Sequence, residues 1–172
     1  NKWEVPYKDI GPLFLPKATL ATKRNCVVAM IQPVNSLLFN ETAYEFRKKL
    51  FSTFKVDEIT NLSALRFNLF DNAISPSCIV ILYNTDPDSR PLQYICPKST
   101  HTTEDKETII VEPHDINYIY PNEATENPFV WTSLIWGTKR DLNLMNKLDK
   151  EQSLQKLIEK GVLDEKKNKR RG

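Results

Sequence analysis

The sequence predicts an α/β fold, and three observations carry that prediction. Two apolar runs of strand length, residues 26–31 and 77–83, stand well apart in the chain. An amphipathic helical stretch lies between them at 40–54, followed by a strand-like segment at 56–62. Strand, helix, strand, loop, strand is the alternation from which layered α/β domains are built.

Residues 1–12 carry Pro6, Gly11 and Pro12 and read as an irregular lead-in. From 13 to 23 the apolar Leu13, Phe14, Ala18 and Ala21 fall near helical spacing. Pro16 is tolerated there because a first helical turn does not need its backbone N–H. Asn25 stops this helix, and the run at 26–31 has no polar residue before Gln32 and Pro33. Such a run predicts a strand buried on both faces, as in a parallel sheet. The helix at 40–54 has Asn40 or Thr42 as cap, acidic residues early and basic residues late, in accord with the helix dipole. Ala43, Phe46, Leu50 and Phe54 form its core stripe. Residues 63–76 read as a loop that nevertheless contains Leu65, Phe67, Leu69 and Phe70. Exposed loops seldom carry four such side chains, so two or three of them belong to the core and a spare aromatic serves as a stacking platform.

Beyond Asn84 the hydrophobic density drops. Residues 85–91 read as a turn, 92–96 and 108–111 as short strands, and the Pro- and Asn-rich 112–129 as irregular. Trp131, Leu134, Ile135 and Trp136 make an apolar anchor on the main body. Residues 141–163 read as a helix, with Leu142, Met145, Leu148, Leu154, Leu157 and Ile158 available for burial. Five of the last seven residues are basic, the composition of a solvated end.

A length of 172 residues with 40% hydrophobic and 27% charged composition suits one domain. Lys and Arg number 24 against 22 Asp and Glu, so a net charge of +2 gives no field that marks a nucleic-acid or membrane binder. The cysteines Cys26, Cys78 and Cys96 are odd in number and widely spaced, and His101 and His114 lie apart from any Cys pair. This pattern argues against a zinc site and a disulfide framework, and Cys26 and Cys78 read as buried free thiols. No apolar run approaches the ~20 residues of a membrane helix. The start, Asn1-Lys2-Trp3-Glu4, lacks a signal-peptide layout. A reducing, cytoplasmic setting without membrane attachment is expected, and the chain reads as an excised piece of a longer protein.

The chemistry-bearing motifs are sparse. There is no Walker loop, no Gly-x-Gly-x-x-Gly, no Gly-x-Ser-x-Gly and no metal-ligand cluster, and glycines number only 4. Asp57-Glu58 reads as solvated, and His114 between Pro113 and Asp115 as a surface imidazole. By itself the chain carries no self-sufficient active site.

The order of segments nevertheless resembles the post-catalytic half of N6-adenine DNA methyltransferases of the restriction–modification type. The resemblance runs through Leu13-Phe14-Leu15-Pro16-Lys17-Ala18, Val27-Val28-Ala29-Met30-Ile31-Gln32-Pro33, the helix with Phe46-Arg47-Lys48, the 56–62 strand, and Phe70 through Ser77-Cys78-Ile79-Val80-Ile81. It continues in Trp131 and Leu134-Ile135-Trp136-Gly137-Thr138-Lys139-Arg140-Asp141-Leu142, which is similar to the connector before a target-recognition domain. The resemblance covers roughly residues 10 to 150.

It implies a partial Rossmann-like methyltransferase sheet, mixed in direction, with strands 56–62 and 77–83 antiparallel, plus a small β extension and a C-terminal helix. It divides the chain into 1–84, the second half of a catalytic domain; 85–140, a β-rich or irregular extension and connector; and 141–172, a C-terminal helix and basic tail leading to an absent target-recognition domain. The implied reaction moves a methyl group from S-adenosylmethionine to N6 of adenine in double-stranded DNA, on a base rotated out of the duplex. Phe70, with Phe67 as fallback, occupies the base-stacking position, and Phe14 the position that contacts the cofactor's adenine. The small-residue cofactor loop and the Asn-Pro-Pro-aromatic motif of the family are missing and belong upstream. Asn127-Pro128-Phe129 lacks the second proline and does not replace that motif. No catalytic residue or metal ligand is therefore assigned, no cofactor is expected to bind tightly to this piece alone, and self-association through cut surfaces is expected. Two alternatives stay open at this point: a non-enzymatic protein- or nucleic-acid-binding module, and half of a methyltransferase for RNA or a small molecule.

Overall fold

A computed structural model of the chain describes residues 3–4, 9–69, 75–98, 108–127 and 129–151. Its frame is the apolar strand β3 (Ser77–Tyr83), which pairs antiparallel with both β1 (Val27–Pro33) and β2 (Lys55–Asn61). β2 takes β4 (Leu92–Ile95) in parallel, and β4 takes β5 (Ile116–Ile119) antiparallel, giving a five-stranded mixed sheet in the order β1-β3-β2-β4-β5. The expected pairing of 56–62 with 77–83 is present, from Val56 opposite Leu82 to Asn61 opposite Cys78, with a register shift at Asp57. Strands β1, β2 and β4 run the same way, so their carboxyl ends share one edge.

The helices form where capping and spacing direct. α1 (Phe14–Ala21) follows a 3-10 turn at Gly11–Leu13, which places Pro12 among the first positions of the turn. Asn25 then adopts φ 64°, in the left-handed region that Asn tolerates; its N–H donates to Asn84 O, and Asn84 N–H donates to Cys26 O, both at 2.9 Å. Between β1 and α2 (Tyr44–Thr53) lie a π-helical turn, Asn35–Phe39, and a 3-10 turn, Glu41–Ala43. Asn40 Oδ1 accepts from Thr42 N at 3.0 Å, the cap read from the sequence. After β2 come a 3-10 turn, Ser63–Leu65, and α3 (Arg66–Leu69). α4 (Pro121–Glu126), α5 (Val130–Trp136) and α6 (Lys139–Lys150) close the described chain.

One face of the sheet holds the core. Val56, Ile59, Cys78, Val80, Leu82, Leu92, Tyr94 and Ile119 pack in one cluster with Leu15, Leu37, Phe46, Leu50, Phe51, Phe54, Trp131, Leu134 and Leu142. The core stripe assigned to the 40–54 helix, Ala43, Phe46, Leu50 and Phe54, is buried in full. The Trp131 ring sits at its centre, stacked on Phe51 at 5.9 Å and met edge-on by Tyr94 at 5.2 Å. Tyr94 carries a polar chain through this apolar ground. Asn61 Nδ2 donates to its hydroxyl at 2.7 Å, and the hydroxyl donates to the Trp131 carbonyl at 2.9 Å. Burial pushes the phenol well above its ordinary range, so it stays a neutral donor.

The structure corrects several sequence expectations. β1 is an edge strand, not one buried on both faces: Val27 and Ile31 are 53% and 59% exposed, because among the described residues no layer covers the second face of the sheet. Cys26, just outside the edge, is exposed, while Cys78 and Cys96 are buried. Residues 108–111 form no strand. The capped 3-10 turn Pro113–Asp115 lets the strand begin only at Ile116, where Ile119 reaches the core. Residues 112–129 therefore supply β5 and α4 instead of irregular chain. In the apolar anchor, Trp131, Leu134 and Ile135 are buried but Trp136 is 73% exposed, since it falls on the far side of α5. α6 ends at Lys150, where Glu151 turns extended, and the remainder of the expected 141–163 helix lies outside the described residues. No helix among the described residues is long and apolar enough to cross a membrane.

Two outcomes follow from this packing. Tyr94→Phe strands the Asn61 amide and the Trp131 carbonyl in an apolar core, and should lower the unfolding free energy by about 1–3 kcal/mol in a urea titration with the slope unchanged. At the start of α6, Thr138 donates to Asp141 from its backbone at 2.7 Å and its hydroxyl at 2.9 Å, which holds that carboxyl below the ordinary range. A depressed carboxyl stabilises above its unfolded pKa and loses that effect as the pH falls through the folded value. Helical circular dichroism should therefore decline between about pH 5 and pH 2, and Asp141→Ala should remove the α6 share of that decline.

Candidate functional site

The carboxyl edge of β1, β2 and β4 is where an open α/β sheet offers backbone groups and loops to a ligand. On the β1 side, Asp9 ties three segments together. Its Oδ1 accepts from Gly11 N at 2.9 Å, and its Oδ2 accepts from Ser36 Oγ. Gly11 is drawn so close that a Cβ there would lie 3.7 Å from Pro33 Cδ and 3.2 Å from Asp9 Oδ1. This packs the lead-in of α1 against the end of β1. Ile10, Leu13, Phe14 and Lys17 then line an open cavity of about 210 Å³. Phe14 is 51% exposed, so one side of its ring is available to a flat ligand.

The turn after β1 is held from α2. Arg47 is buried, and its Nη1 donates to the carbonyls of Leu37 and Asn40, both at 3.1 Å. Burial lowers its guanidinium to about 10, which leaves it charged at neutral pH. Gln32, one residue before the end of β1, is 4% exposed, and its Oε1 has no hydrogen-bond partner. On the β2 side, Asn61 Oδ1 accepts from Ser63 N at 2.9 Å and fixes the start of the next turn. Backbone bonds from Val34 N to Pro76 O and from Leu62 N to Ser77 O, each 3.0 Å, hold both strand ends to the start of β3.

Of the residues assigned from sequence, Phe14 and Phe67 stand at this edge. They flank strands whose axes are two sheet spacings apart, on the order of 10 Å. Phe67 is 72% exposed, with the Arg66 guanidinium 4.2 Å from its ring centre, a cation–π contact that stiffens an otherwise free ring. Leu65 is buried and Leu69 half-buried, so the loop's apolar content is shared between core and surface. Phe70 lies outside the described residues. Gln32, Asp9 and Arg47 were not singled out by the sequence reading, although Gln32 interrupts an apolar run and could have been.

At the carboxyl end of β4, Lys98 Nζ donates to Cys96 O at 2.8 Å and to Ile135 O, lies 3.9 Å from Asp115, and covers the Trp136 ring at 5.4 Å. This arrangement docks α5 on the sheet. Burial pushes the thiols of Cys78 and Cys96 up to about 12 and about 11, away from nucleophilic use. His114 is exposed and faces Glu112 at 3.3 Å, and no group of His, Cys, Asp and Glu among the described residues is placed to hold a metal ion.

No family model matches the chain, and no curated protein sequence does. Among solved structures, a chain from a study of complex assembly and conformational transition of the type I restriction–modification system superposes with a TM-score of 0.53 at 10% identity, over 80% of this chain and 38% of that one. The M protein of the type I restriction enzyme EcoKI gives a TM-score of 0.43 at 10% identity, over 59% of this chain and 23% of the other. A type I restriction enzyme modification subunit from Vibrio vulnificus YJ016 gives 0.43 at 18% identity, over 61% and 23%. The chain thus spans well under half the length of each, and the first of these likenesses is one of fold: a mixed sheet with helices, α/β as the sequence indicated.

Because Phe14 and Phe67 are exposed, Phe14→Ala and Phe67→Ala should each change the unfolding free energy by no more than about 0.5 kcal/mol. Leu15→Ala, beside Phe14 but fully buried, should cost about 2–5 kcal/mol in the same denaturant series.

Proposed function

We propose that the chain is the second half of the catalytic domain of a site-specific DNA methyltransferase, one that moves a methyl group from S-adenosylmethionine to N6 of adenine, and that it does not turn over alone. The observation that carries this reading is the arrangement of β1, β3 and β2. Two parallel strands enclose an antiparallel one, and the shared carboxyl edge bears the Phe14 cavity at one strand end and the exposed Phe67 ring at the next.

Support for a missing half comes from the side of the sheet that no layer covers among the described residues. Val27, Ala29 and Ile31 on β1 and Ile79, Ile81 and Tyr83 on β3 share its outer face by register. The same face turns polar at Lys55, Glu58 and Thr60 of β2. Apolar surface concentrated at the unpaired edge is what a further strand and helix layer would bury.

Within this reading the chain's residues bind and orient. Phe70, or Phe67 beside it, takes one face of the extruded adenine, where a stacked base is worth about 1–3 kcal/mol. The exposed ring of Phe14 and its apolar neighbours suit the face of the cofactor's adenine, and Asp9, Ser36 and Arg47 keep the turn beneath them in place. When bound, the cofactor supplies the methyl group as an electrophile. The partner is duplex DNA.

The test uses the parent protein, with the sequence upstream of Asn1 restored. Methyl transfer from labelled S-adenosylmethionine should mark N6 of adenine. Phe70→Ala should lower kcat/KM by about 10–100-fold, while Phe70→Trp retains most of it. Transfer to cytosine or RNA, or efficient transfer by the 172-residue chain alone, would count against the proposal.

A further inference from the structure

Trp136 ends α5 with 73% of its surface exposed, although tryptophan is a side chain that folding usually covers. Lys98, two residues beyond the buried Cys96 that follows β4, fixes its place in the fold. The ammonium group donates to the carbonyls of Cys96 and Ile135 and lies 5.4 Å from the centre of the indole ring. A cation therefore holds the ring at the carboxyl end of β4 and leaves most of its surface open to a flat partner.

The same construction stands at the next strand end. Phe67 is 72% exposed, with the Arg66 guanidinium 4.2 Å from its ring centre. β2 and β4 pair in parallel, so their carboxyl ends lie one strand spacing apart, about 5 Å. Two cation-backed aromatic rings thus follow one another along the edge that also bears the Phe14 cavity.

The turn after Trp136 adds a charge. Gly137 is drawn in so tightly that a Cβ there would meet Ser133 O at 2.8 Å and Asp141 Oδ2 at 3.0 Å, which keeps the end of α5 close to the head of α6. Arg140, in the first turn of α6, is exposed and makes no ion pair among the described residues. Asp141 beside it is engaged by Thr138, and Asp115 by the Glu112 N–H and Lys98. The residues that flank Trp136 on this surface, Thr132, Thr138 and Arg140, are exposed and polar. A protein-docking site centres on a wider apolar patch, whereas one stacking ring with a cation close by suits a nucleotide unit: the ring takes a base and the cation a phosphate.

We propose that Trp136 and Arg140 form a DNA contact beyond Phe67 and Phe70, in which the indole stacks on a base unstacked by the extrusion of the target and the guanidinium meets the phosphate beside it. This rests on the reading of the parent as a DNA methyltransferase and adds to it two residues, with Lys98 as the group that positions the ring.

The test measures equilibrium binding of the parent protein to a fluorescein-labelled duplex carrying its methylation site, at salt concentrations from about 50 to about 200 mM. Trp136→Ala should weaken binding about tenfold at each concentration without changing the salt dependence, while Trp136→Phe retains most of the affinity. Arg140→Gln should reduce the slope of log affinity against log salt by about 1. Both side chains are exposed, so neither Trp136→Ala nor Arg140→Gln should move the thermal midpoint of the 172-residue chain. A parent that methylates DNA yet binds it equally well in Trp136→Ala and Arg140→Gln would overturn the inference and leave the proposed function standing. A parent that binds no DNA would overturn both.

Discussion

Along its seven residues β3 is paired to β1 on one side and β2 on the other, and the rest of the chain depends on that double pairing. It makes β1 and β2 parallel to each other and puts their carboxyl ends on one edge. Cys78, Val80 and Leu82 form the fully buried middle of the apolar face on which α2 and α5 pack. The turns that carry Phe14 and Phe67 hang from the two ends that β3 aligns, and the backbone bonds into Pro76 and Ser77 secure them there. A ladder formed by strands remote in sequence thus sets the spacing of the binding edge.

The second organising element is the aromatic knot of Trp131, Phe51 and Tyr94. It joins three layers of chain order: a helix from the first third, a strand from the middle and a helix from the last part. The hydroxyl of Tyr94 passes one donor chain from Asn61 to the backbone of α5, so the later helices are located by a directional bond as well as by packing. This is why β4 and β5, contributed by the segment after residue 84, continue the same sheet instead of standing apart.

Much of this was legible in the residues. β3 and α2 with its cap at Asn40 follow from composition and periodicity, while the antiparallel partnership of β2 and β3 was implied by the family resemblance. What was not legible turned on long-range context. The run at 26–31 is apolar enough for two buried faces, but composition cannot say that one face stays open among the described residues. The β-branched triplet Ile109-Ile110-Val111 looks more like a strand than Ile116–Ile119 does, yet it is the latter that pairs with β4 because the turn at Pro113–Asp115 fixes where pairing starts. At the candidate site, Phe67 was readable as one of the surplus apolar side chains of a loop, whereas Phe14 read as part of a helical stripe and was pointed to only by the family resemblance. The role of Arg47 was hidden, because its partners are carbonyls and carbonyls leave no trace in a sequence.

That buried arginine has a consequence for how the molecule comes apart. Its charge is compensated by the carbonyls of Leu37 and Asn40, neither of which can take up a proton in ordinary acid. Elsewhere the chain is pinned by carboxylates: Asp9 at the α1 lead-in, Asp115 before β5, Asp141 at the head of α6. Acid discharges the Asp141 pin, whose carboxyl is held below its ordinary range, and leaves the arginine clamp untouched. Partners ten and seven residues away also make it a local contact, quick to re-form. The turn from the end of β1 into α2 is accordingly held by a clamp that acid does not discharge.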